Sequence, residues 1–451
     1  MKKNTSILIV IVLGAVMLRV LVALYLGDIV DAPPLLQDQR SYHALGERLI
    51  TGHEFSFDRG WYPFTPPDTP TAHWSFLYSL GVASVYAVFG AHPLAARLVQ
   101  AVLGGILLPL LAYLFSRRLF QSFPARQQTA SVETTALITA AVTAIYPYFI
   151  LYSATIMTET SFMIVLLWSL YLAMGLAQRP TWTGGLFFGL SLGIATLIRQ
   201  SILPWALVLS LWLLWSALRK GSSRRMLGVL VLSALMVALA ILPFTIRNYR
   251  MYGQFLLLNS NAGYAMYSAQ HPLHGTEFHE FIGIPIPEEL KGLNEAQMDR
   301  ELMQLGIGFV LAEPGRYLQL SLSRIIDFIE FWPTPDTSLL HNVGRVGSLG
   351  VMLPFIIIGL VLAVKQSGPK AQGSWLAFSA SPLAMVLLFA AVYTVQHVLT
   401  WAMPRYRLPV DAVLLSFAAL GLHGTGCWLK DRIQRQRTKS FAHERVNDII
   451  G

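Results

Sequence analysis

The sequence predicts an all-α polytopic membrane protein, and three observations carry that prediction. The 451-residue chain is 54% hydrophobic and 13% charged, about half the roughly 25% charge of a soluble domain. Its mean hydropathy is +0.54, and uncharged apolar runs of roughly 17–25 residues, each long enough to cross a bilayer core, recur along it. Many of the basic residues behind the net charge of +9 sit in short stretches between those runs, as a positive-inside bias places them. They therefore argue for membrane topology and against nucleic acid. The single cysteine, Cys427, excludes an intrachain disulfide and a cysteine metal cluster.

Taken in order, the runs give about ten spans. Lys2 and Lys3 hold the start of a first span, about Ser6 to Gly27, in the cytoplasm. That run is longer than a signal-peptide core and lacks an Ala-x-Ala cleavage site, so it reads as retained. A polar, proline-rich stretch follows, and His73 to Phe89 reads as a helix lying in the interface. Spans 2 to 7 are expected at about Pro93–Phe115, Val132–Ile150, Met157–Ala177, Trp182–Ile198, Ile202–Leu218 and Met226–Ile246. The segment 247–345 is a second long polar stretch, with turn chemistry in NSNAG, HPLHG and IPIPEE and helices near Glu295–Leu311 and Pro314–Phe331. Spans 8 to 10 close the domain at about Val346–Val364, Trp375–Gln396 and Val410–Leu429. The resulting organisation is one membrane domain over 1–430 and a basic cytoplasmic tail over 431–451. Its two long polar segments, 31–93 with interfacial helices and 247–345, lie outside. Both termini and the short basic loops lie inside, in the cell (inner) membrane.

The chemistry is expected in the stretch from Asp31 to Trp74. Asp38, Arg40 and Tyr42 open a short amphipathic helix, and Arg59, Trp61, Tyr62 and Asp68 follow in a loop stiffened by Pro63, Pro66, Pro67 and Pro70. A carboxylate at the water–lipid boundary suits removal of a hydroxyl proton during attack and stabilises the oxocarbenium-like charge of glycosyl transfer. Tyr42, one helical turn on, is placed to orient base or acceptor. Asp38 equally reads as the N-cap of the helix Gln39–Ile50. Arg97, Arg199, Arg247, Arg250, Arg405 and Arg407 fall at or near external span ends, where the positive-inside bias does not explain them. Preplaced cations there suit a departing phosphate, and each one alone also reads as an arginine snorkelling to head groups. Glu159 opens span 4 at a depth where a carboxylate is costly, or serves as a helix-start charge. Asp68 reads as a turn residue or a second acid.

His271, His274, Glu277, His279 and Glu280 lie together in HPLHGTEFHE, but the spacing matches no zinc motif. No metal ligand is assigned, and a divalent cation stays open as a cofactor. No GxxxxGK[ST] loop is present, which argues against an ATP-driven pump.

Several of these residues lie in motifs that resemble a known family. The first loop's D-x-x-x-Y followed by a glycine and a PP pair (Asp38, Tyr42, Gly52, Pro66, Pro67) is similar to the bacterial dolichyl-phosphate-mannose mannosyltransferase-like glycosyltransferases, family 39 of the GT-C-type fold. So are FG…AARL (Phe89, Gly90, Arg97), TETSF around Glu159, LIRQS around Arg199, IRNYRMYGQFLLLNSNAGYAMY (Arg247–Tyr267) and PRYRLPV (Arg405–Arg407). The resemblance implies an inverting glycosyltransferase with a polyprenyl-phosphate-sugar donor, hexosyl or pentosyl, and an extracytoplasmic site with the first-loop aspartate as base. The acceptor is a lipid, glycan or protein. Arg40, Tyr42 and the six arginines are the expected contacts to donor phosphate and lipid. Tyr62, Asn259, Asn261, Tyr264 and Tyr267 are the expected acceptor or sugar contacts. Several members carry Asp-Glu where this chain has Asp38-Gln39, which leaves Asp68 and Glu159 as candidates for the second acid. Many members also append a soluble C-terminal domain. Here acceptor selection is expected from the two long loops. The competing reading is a transporter or flippase of a lipid-linked sugar, for which polar or broken helices near the midplane are expected. Arg19 is the main charge well inside a span.

Overall fold

The computed structural model of the protein describes residues 2–30, 38–124, 129–279, 282–335 and 337–450. Its helices in chain order are α1 (Lys2–Leu26), α2 (Asp38–Ile50), α3 (Phe76–Phe89), α4 (Pro93–Gln121), α5 (Thr129–Ile145), α6 (Pro147–Ser153), α7 (Glu159–Gln178), α8 (Trp182–Ile198) and α9 (Leu203–Arg219). They continue with α10 (Ser223–Tyr252), α11 (Ala262–Gln270), α12 (Glu295–Ala312), α13 (Pro314–Ile329), α14 (Leu339–Arg345), α15 (Val351–Ser367), α16 (Trp375–Ser379), α17 (Pro382–Leu399) and α18 (Leu408–Ile450). Among the described residues the only β-pairing is two isolated bridges in the first connection, Ser56 with Pro70 and Trp61 with Thr65.

Eight helices are long and apolar enough to cross a membrane, and a ninth candidate is α5 with α6, bent by 57°. Counting the 17-residue α8 as well gives the ten spans expected. The 14-residue α3 is about 21 Å long at 1.5 Å per residue, short of a hydrocarbon core of roughly 30 Å. The chain is thus a multi-pass membrane protein.

The break between α5 and α6 has an identifiable cause. Pro147 is the first residue of α6, and a proline both lacks the N–H to continue α5 and disfavours helix in the residue before it. The carbonyls released there are taken by Arg19, whose Nη1 donates to Ala144 O at 2.8 Å and Nη2 to Thr143 O at 3.2 Å. Its Nε reaches Ser153 Oγ at 3.2 Å. The charge that stood out in the first span therefore satisfies a broken helix.

Close approach of α8 to α10 follows from a glycine stripe. Gly185, Gly189 and Gly193 lie one turn apart, and a Cβ on each would come within 2.5–2.7 Å of Val229, Ser233 or Ala240. Small residues at this spacing let membrane helices meet backbone to backbone. One large apolar cluster runs through α4, α7, α9, α15, α17 and α18. Smaller clusters cover α2 on α3 around Tyr42, Leu45, Trp74 and Tyr86, and α11 on α12 around Tyr264, Met298 and Leu302. In α13, Leu318, Leu322, Ile326 and Ile329 are exposed while Leu320, Arg324 and Phe328 are buried, the two-faced pattern of a helix lying in an interface.

Candidate active site

The residues of interest come from four distant segments. Asp38 is the first residue of α2, and its Oδ2 accepts from Arg405 Nη1 at 2.8 Å. Arg405 stands in a single 3₁₀ turn, Pro404–Arg407. Pro404 sets the turn's first φ and the chain then enters α18. The carboxylate is engaged by a cation 367 positions away in sequence; Arg405 Nε is buried and, among the described residues, without a hydrogen-bond partner.

A second ion pair lies beside the first. Glu159 opens α7 and is 1% exposed. It pairs with Arg199, which caps the end of α8 and also donates through Nε to Thr158 Oγ1 at 2.9 Å. Tyr406 lies between the two pairs, with the Arg405 guanidinium 5.2 Å and the Arg199 guanidinium 5.6 Å from its ring centre. His397 of α17 stacks on Tyr406 at 4.9 Å. Two carboxylates and two guanidiniums balance in charge, and an aromatic ring joins the cations.

Tyr42 lines the same place. It is buried, with Trp74 and Tyr78 edge-on at 5.6 and 4.7 Å. Burial pushes its phenol well above the ordinary range, and the Asp38 carboxylate adds to the rise. The hydroxyl is therefore a neutral donor beside the carboxylate.

The structure separates the other arginines from this group. Arg97 is fully buried and donates to the carbonyls of Leu26 (3.1 Å), Gly27 and Ile29 (2.6 Å), closing the end of α1. It also reaches Gln39 Oε1 at 3.0 Å, and that oxygen accepts the Ile156 N–H at 3.1 Å. The residue that stands where an acid was expected is thus an anchor for the start of α2. Arg407 turns inward to Asp411 at 3.1 Å and Phe328 O at 2.7 Å. Its i,i+4 spacing to Asp411 on a helix start was a readable signal for that pairing. Most donors of Arg97 and Arg407 thus go to buried acceptors of the fold, with Arg97 Nε and Arg407 Nη2 unpartnered among the described residues.

Arg247 donates to Thr71 O at 2.9 Å and lies over Phe76 at 5.3 Å. Arg40 and Arg250 are exposed. Asp68 is 68% exposed, has φ 52°, and pairs with Arg48 at 2.6 Å. The turn reading therefore describes it, and Glu159 is the acid that lies with Asp38. Of the expected sugar contacts, Tyr62 and Tyr264 meet hydroxyl to hydroxyl at 2.6 Å. Tyr62 lines an open cleft of about 420 Å³ together with Trp61, Phe64, Ile286 and Met298. Tyr267 donates to Pro285 O at 2.9 Å. Asn259 donates to Ala72 O and Trp74 O at 3.1 and 2.7 Å, and Asn261 to His73 O at 3.4 Å. Asn259 thus donates to main chain, and Asn261 to main chain while its Oδ1 accepts from Gln200 at 2.9 Å.

Among the described residues no group of three His, Cys, Asp or Glu side chains is placed to hold a metal ion. In the HPLHGTEFHE run, His274 Nδ1 accepts the His279 N–H at 3.3 Å and Nε2 faces Ser268 O at 2.9 Å; Glu280 lies outside the described residues. The two carboxylates of the site each carry an arginine instead.

Three residues given no role in the sequence reading complete the surroundings: Tyr406 between the cations and Gln200, both inside quoted motifs, and His397 behind Tyr406. Gln200 follows Arg199 and binds Asn259 O and Asn261 Oδ1 at 3.1 and 2.9 Å. Nothing local in the sequence marks these contacts, since each spans 59 or more positions or depends on ring stacking.

Comparison with known proteins agrees with this architecture. Residues 75–246 match the family model "Dolichyl-phosphate-mannose-protein mannosyltransferase", a range that holds Glu159 and Arg199 but neither Asp38 nor Arg405. Comparison with curated proteins gives no match. Among solved structures, the chain is similar to the archaeal oligosaccharyltransferase AglB from Archaeoglobus fulgidus in complex with an inhibitory peptide and a dolichol-phosphate. That match has a TM-score of 0.57 at 16% identity and covers 97% of this chain and 52% of that one. The same enzyme tethered to an acceptor peptide matches with a TM-score of 0.53 at 17% identity, over 93% and 49%. ArnT from Cupriavidus metallidurans bound to undecaprenyl phosphate matches at 13% identity with a TM-score of 0.40, over 92% and 77%. The chain spans about half the length of the oligosaccharyltransferase. What is shared is the GT-C fold.

Proposed function

We propose, from the match of residues 75–246 to the dolichyl-phosphate-mannose-protein mannosyltransferase model and the shared GT-C fold, that the chain is an inverting glycosyltransferase. It moves a sugar from a polyprenyl-phosphate donor to a lipid, glycan or protein acceptor on the external face of the cell membrane. One observation carries the reading: Asp38 and Arg405, from opposite ends of the chain, form a part-exposed ion pair beside the buried Glu159–Arg199 pair.

The chemistry follows from that arrangement. The acceptor hydroxyl attacks the anomeric carbon from the face opposite the phosphate, and its proton passes to the Asp38 carboxylate. The bond between the anomeric carbon and the phosphate oxygen breaks with its electron pair going to phosphate, so the configuration inverts. Negative charge grows on the leaving phosphate, and Arg405 offers it donors already in place. Arg405 spends Nη1 on Asp38 while Nε has no partner among the described residues. A guanidinium fork holds two acceptors at once. As phosphate draws on Arg405, its hold on Asp38 loosens and the carboxylate becomes the stronger base. Arg199 adds positive charge through Tyr406 and is itself held by Glu159, which keeps it from closing on Asp38. Arg40, Arg247 and Arg250 then serve the lipid head groups, and Tyr62 and Tyr264 the acceptor.

The test is the purified protein with a panel of polyprenyl-phosphate sugars, scored by the mass of released polyprenyl phosphate and of the glycosylated acceptor. Release coupled to product is expected for at least one donor. Sidedness is read in cells with Cys427 replaced by serine. Cysteines at Asp58 and Glu288, both exposed, should react with an impermeant thiol reagent, and one at exposed Arg224 should not. The reverse labelling would contradict an external site.

A further inference from the structure

Glu295 joins the two long connections, and no motif marks it. It is the first residue of α12, in a capping box made by Asn294 and Gln297, and it is 8% exposed. Its Oε1 accepts from Ser260 Oγ at 2.7 Å and Thr71 Oγ1 at 3.0 Å. Its Oε2 accepts from the Ala72 N–H and from Tyr252 OH, both at 3.1 Å. One carboxylate thus gathers donors from the first connection, from the end of α10 and from the second segment. Among the described residues it forms no ion pair. Four hydrogen bonds and the positive end of α12 stand in for water and a cation.

What Glu295 holds is a strap over the site. The stretch 71–74 is stitched to 259–261 by Ser260 N–H to Ala72 O at 3.2 Å and by the two Asn259 bonds to Ala72 and Trp74 carbonyls. One side of the strap presents Trp74 to Tyr42, one turn from Asp38. The other side is gripped by Gln200, next to Arg199. The strap therefore touches the elements that carry both ion pairs, and Glu295 is the point at which its two strands and α10 converge.

We propose that Glu295 is a positioning residue for glycosyl transfer, fixing the 71–74 and 259–261 strap so that Tyr42 and Asp38 face the reacting sugar. The inference rests on the transferase reading. Glu295 touches no reacting atom; its effect passes through Ala72, Trp74 and Tyr42. Its charge is also dispensable. A glutamine can turn its oxygen to Ala72 N–H and Tyr252 while the Thr71 and Ser260 hydroxyls rotate to accept from its amide. Alanine leaves all four donors without an acceptor.

Two variants and two readouts test this. Glu295→Ala should lower kcat with saturating acceptor by about tenfold or more while polyprenyl-phosphate affinity stays within about twofold, a loss confined to the transition state. Hydrogen exchange at the amides of 71–74 should speed up by about tenfold or more as the strap opens locally. Glu295→Gln should restore kcat to within about threefold of wild type. Normal kcat or unchanged exchange in Glu295→Ala overturns the proposal, and so does a Gln variant as slow as Ala, which would make the charge itself catalytic. Should Glu295→Ala fail to fold, Thr71→Val removes one of the four donors and must show the same effects at smaller size. A wild-type protein that binds polyprenyl phosphate yet transfers no sugar contradicts the transferase reading; exchange at 71–74 then still decides whether Glu295 holds the strap.

Discussion

Two sets of arginines divide the molecule. Arg19 and Arg97 direct their donors mainly to main-chain carbonyls at helix ends, at the α5–α6 break and at the end of α1. Arg199 and Arg405 direct theirs to side-chain carboxylates across long sequence separations. A carbonyl at a helix end is fixed and has no other donor to turn to, so an arginine on it is committed to the fold. A carboxylate is an anion that a phosphate can replace. On the proposed reading the second set is the exchangeable one, suited to a donor that arrives and leaves as a phosphate.

The sharpest way to break this division is the same substitution made on both sides. Arg405→Lys keeps the charge and loses the planar fork. Turnover should fall by roughly 10²-fold, the size seen on removing one preplaced donor from a developing anion, with folded yield unchanged. Arg97→Lys cannot hold three carbonyls and Gln39 together. It should lower folded yield and melting temperature while turnover per folded molecule stays near wild type. Yield and single-turnover rates for both variants check this, and the opposite pattern would erase the distinction.

A smaller effect sharpens the matching comparison among carboxylates. Asp38, Glu159 and Asp411 carry arginines, whereas Asp299 on α12 accepts the Gly263 N–H at 2.7 Å without one. A Cβ at Gly263 would meet Asp299 O at 1.7 Å, so α11 sits directly on α12 and shields this carboxyl from water. Burial pushes it up to about 6. Because the folded value is raised, the stability tied to the proton is fully present below the unfolded value near 4. It is lost as pH rises through about 6. Asp299→Asn keeps an oxygen for Gly263 and removes that loss. The variant should match wild type at pH 4 and exceed it at pH 7.5 by up to about 3 kcal/mol, the equivalent of two pKa units. Melting curves across that range are the check; an Asn variant less stable at pH 7.5 would contradict it.

The division was only half legible in the sequence. Hydropathy located the spans, and the aromatic, serine-containing run His73–Phe89 read as interfacial, since both depend on local composition. Position at span ends singled out Arg97, Arg199, Arg405 and Arg407 alike, but nothing local told which would meet a carbonyl and which a carboxylate. Arg407 is the exception, because Asp411 lies one turn along the same helix. Asp38 was legible as a polar residue at a helix start, while its partner lies 367 positions on. Glu295 was legible as a helix-start acid after Asn294, but not as a buried one, because Thr71 and Ala72 reach it across 223 or more positions. Asp68 and the asparagines 259 and 261 are held by partners that no local pattern marks: Arg48 for Asp68, and the 72–74 carbonyls and Gln200 for the asparagines.

The central claim is that Asp38 is the base and Arg405 its exchangeable partner, and Asp38→Asn tests it most directly. Asparagine keeps the size and caps a helix about as well as aspartate, so melting temperature should barely move. Turnover should fall by roughly 10²–10⁴-fold, the usual cost of losing a general base. Polyprenyl-phosphate affinity should hold or rise, because Arg405 no longer has an anion to leave. An Asn variant with near-wild-type turnover, or one that binds the polyprenyl phosphate markedly more weakly at an unchanged melting temperature, would contradict the account and turn attention to Glu159.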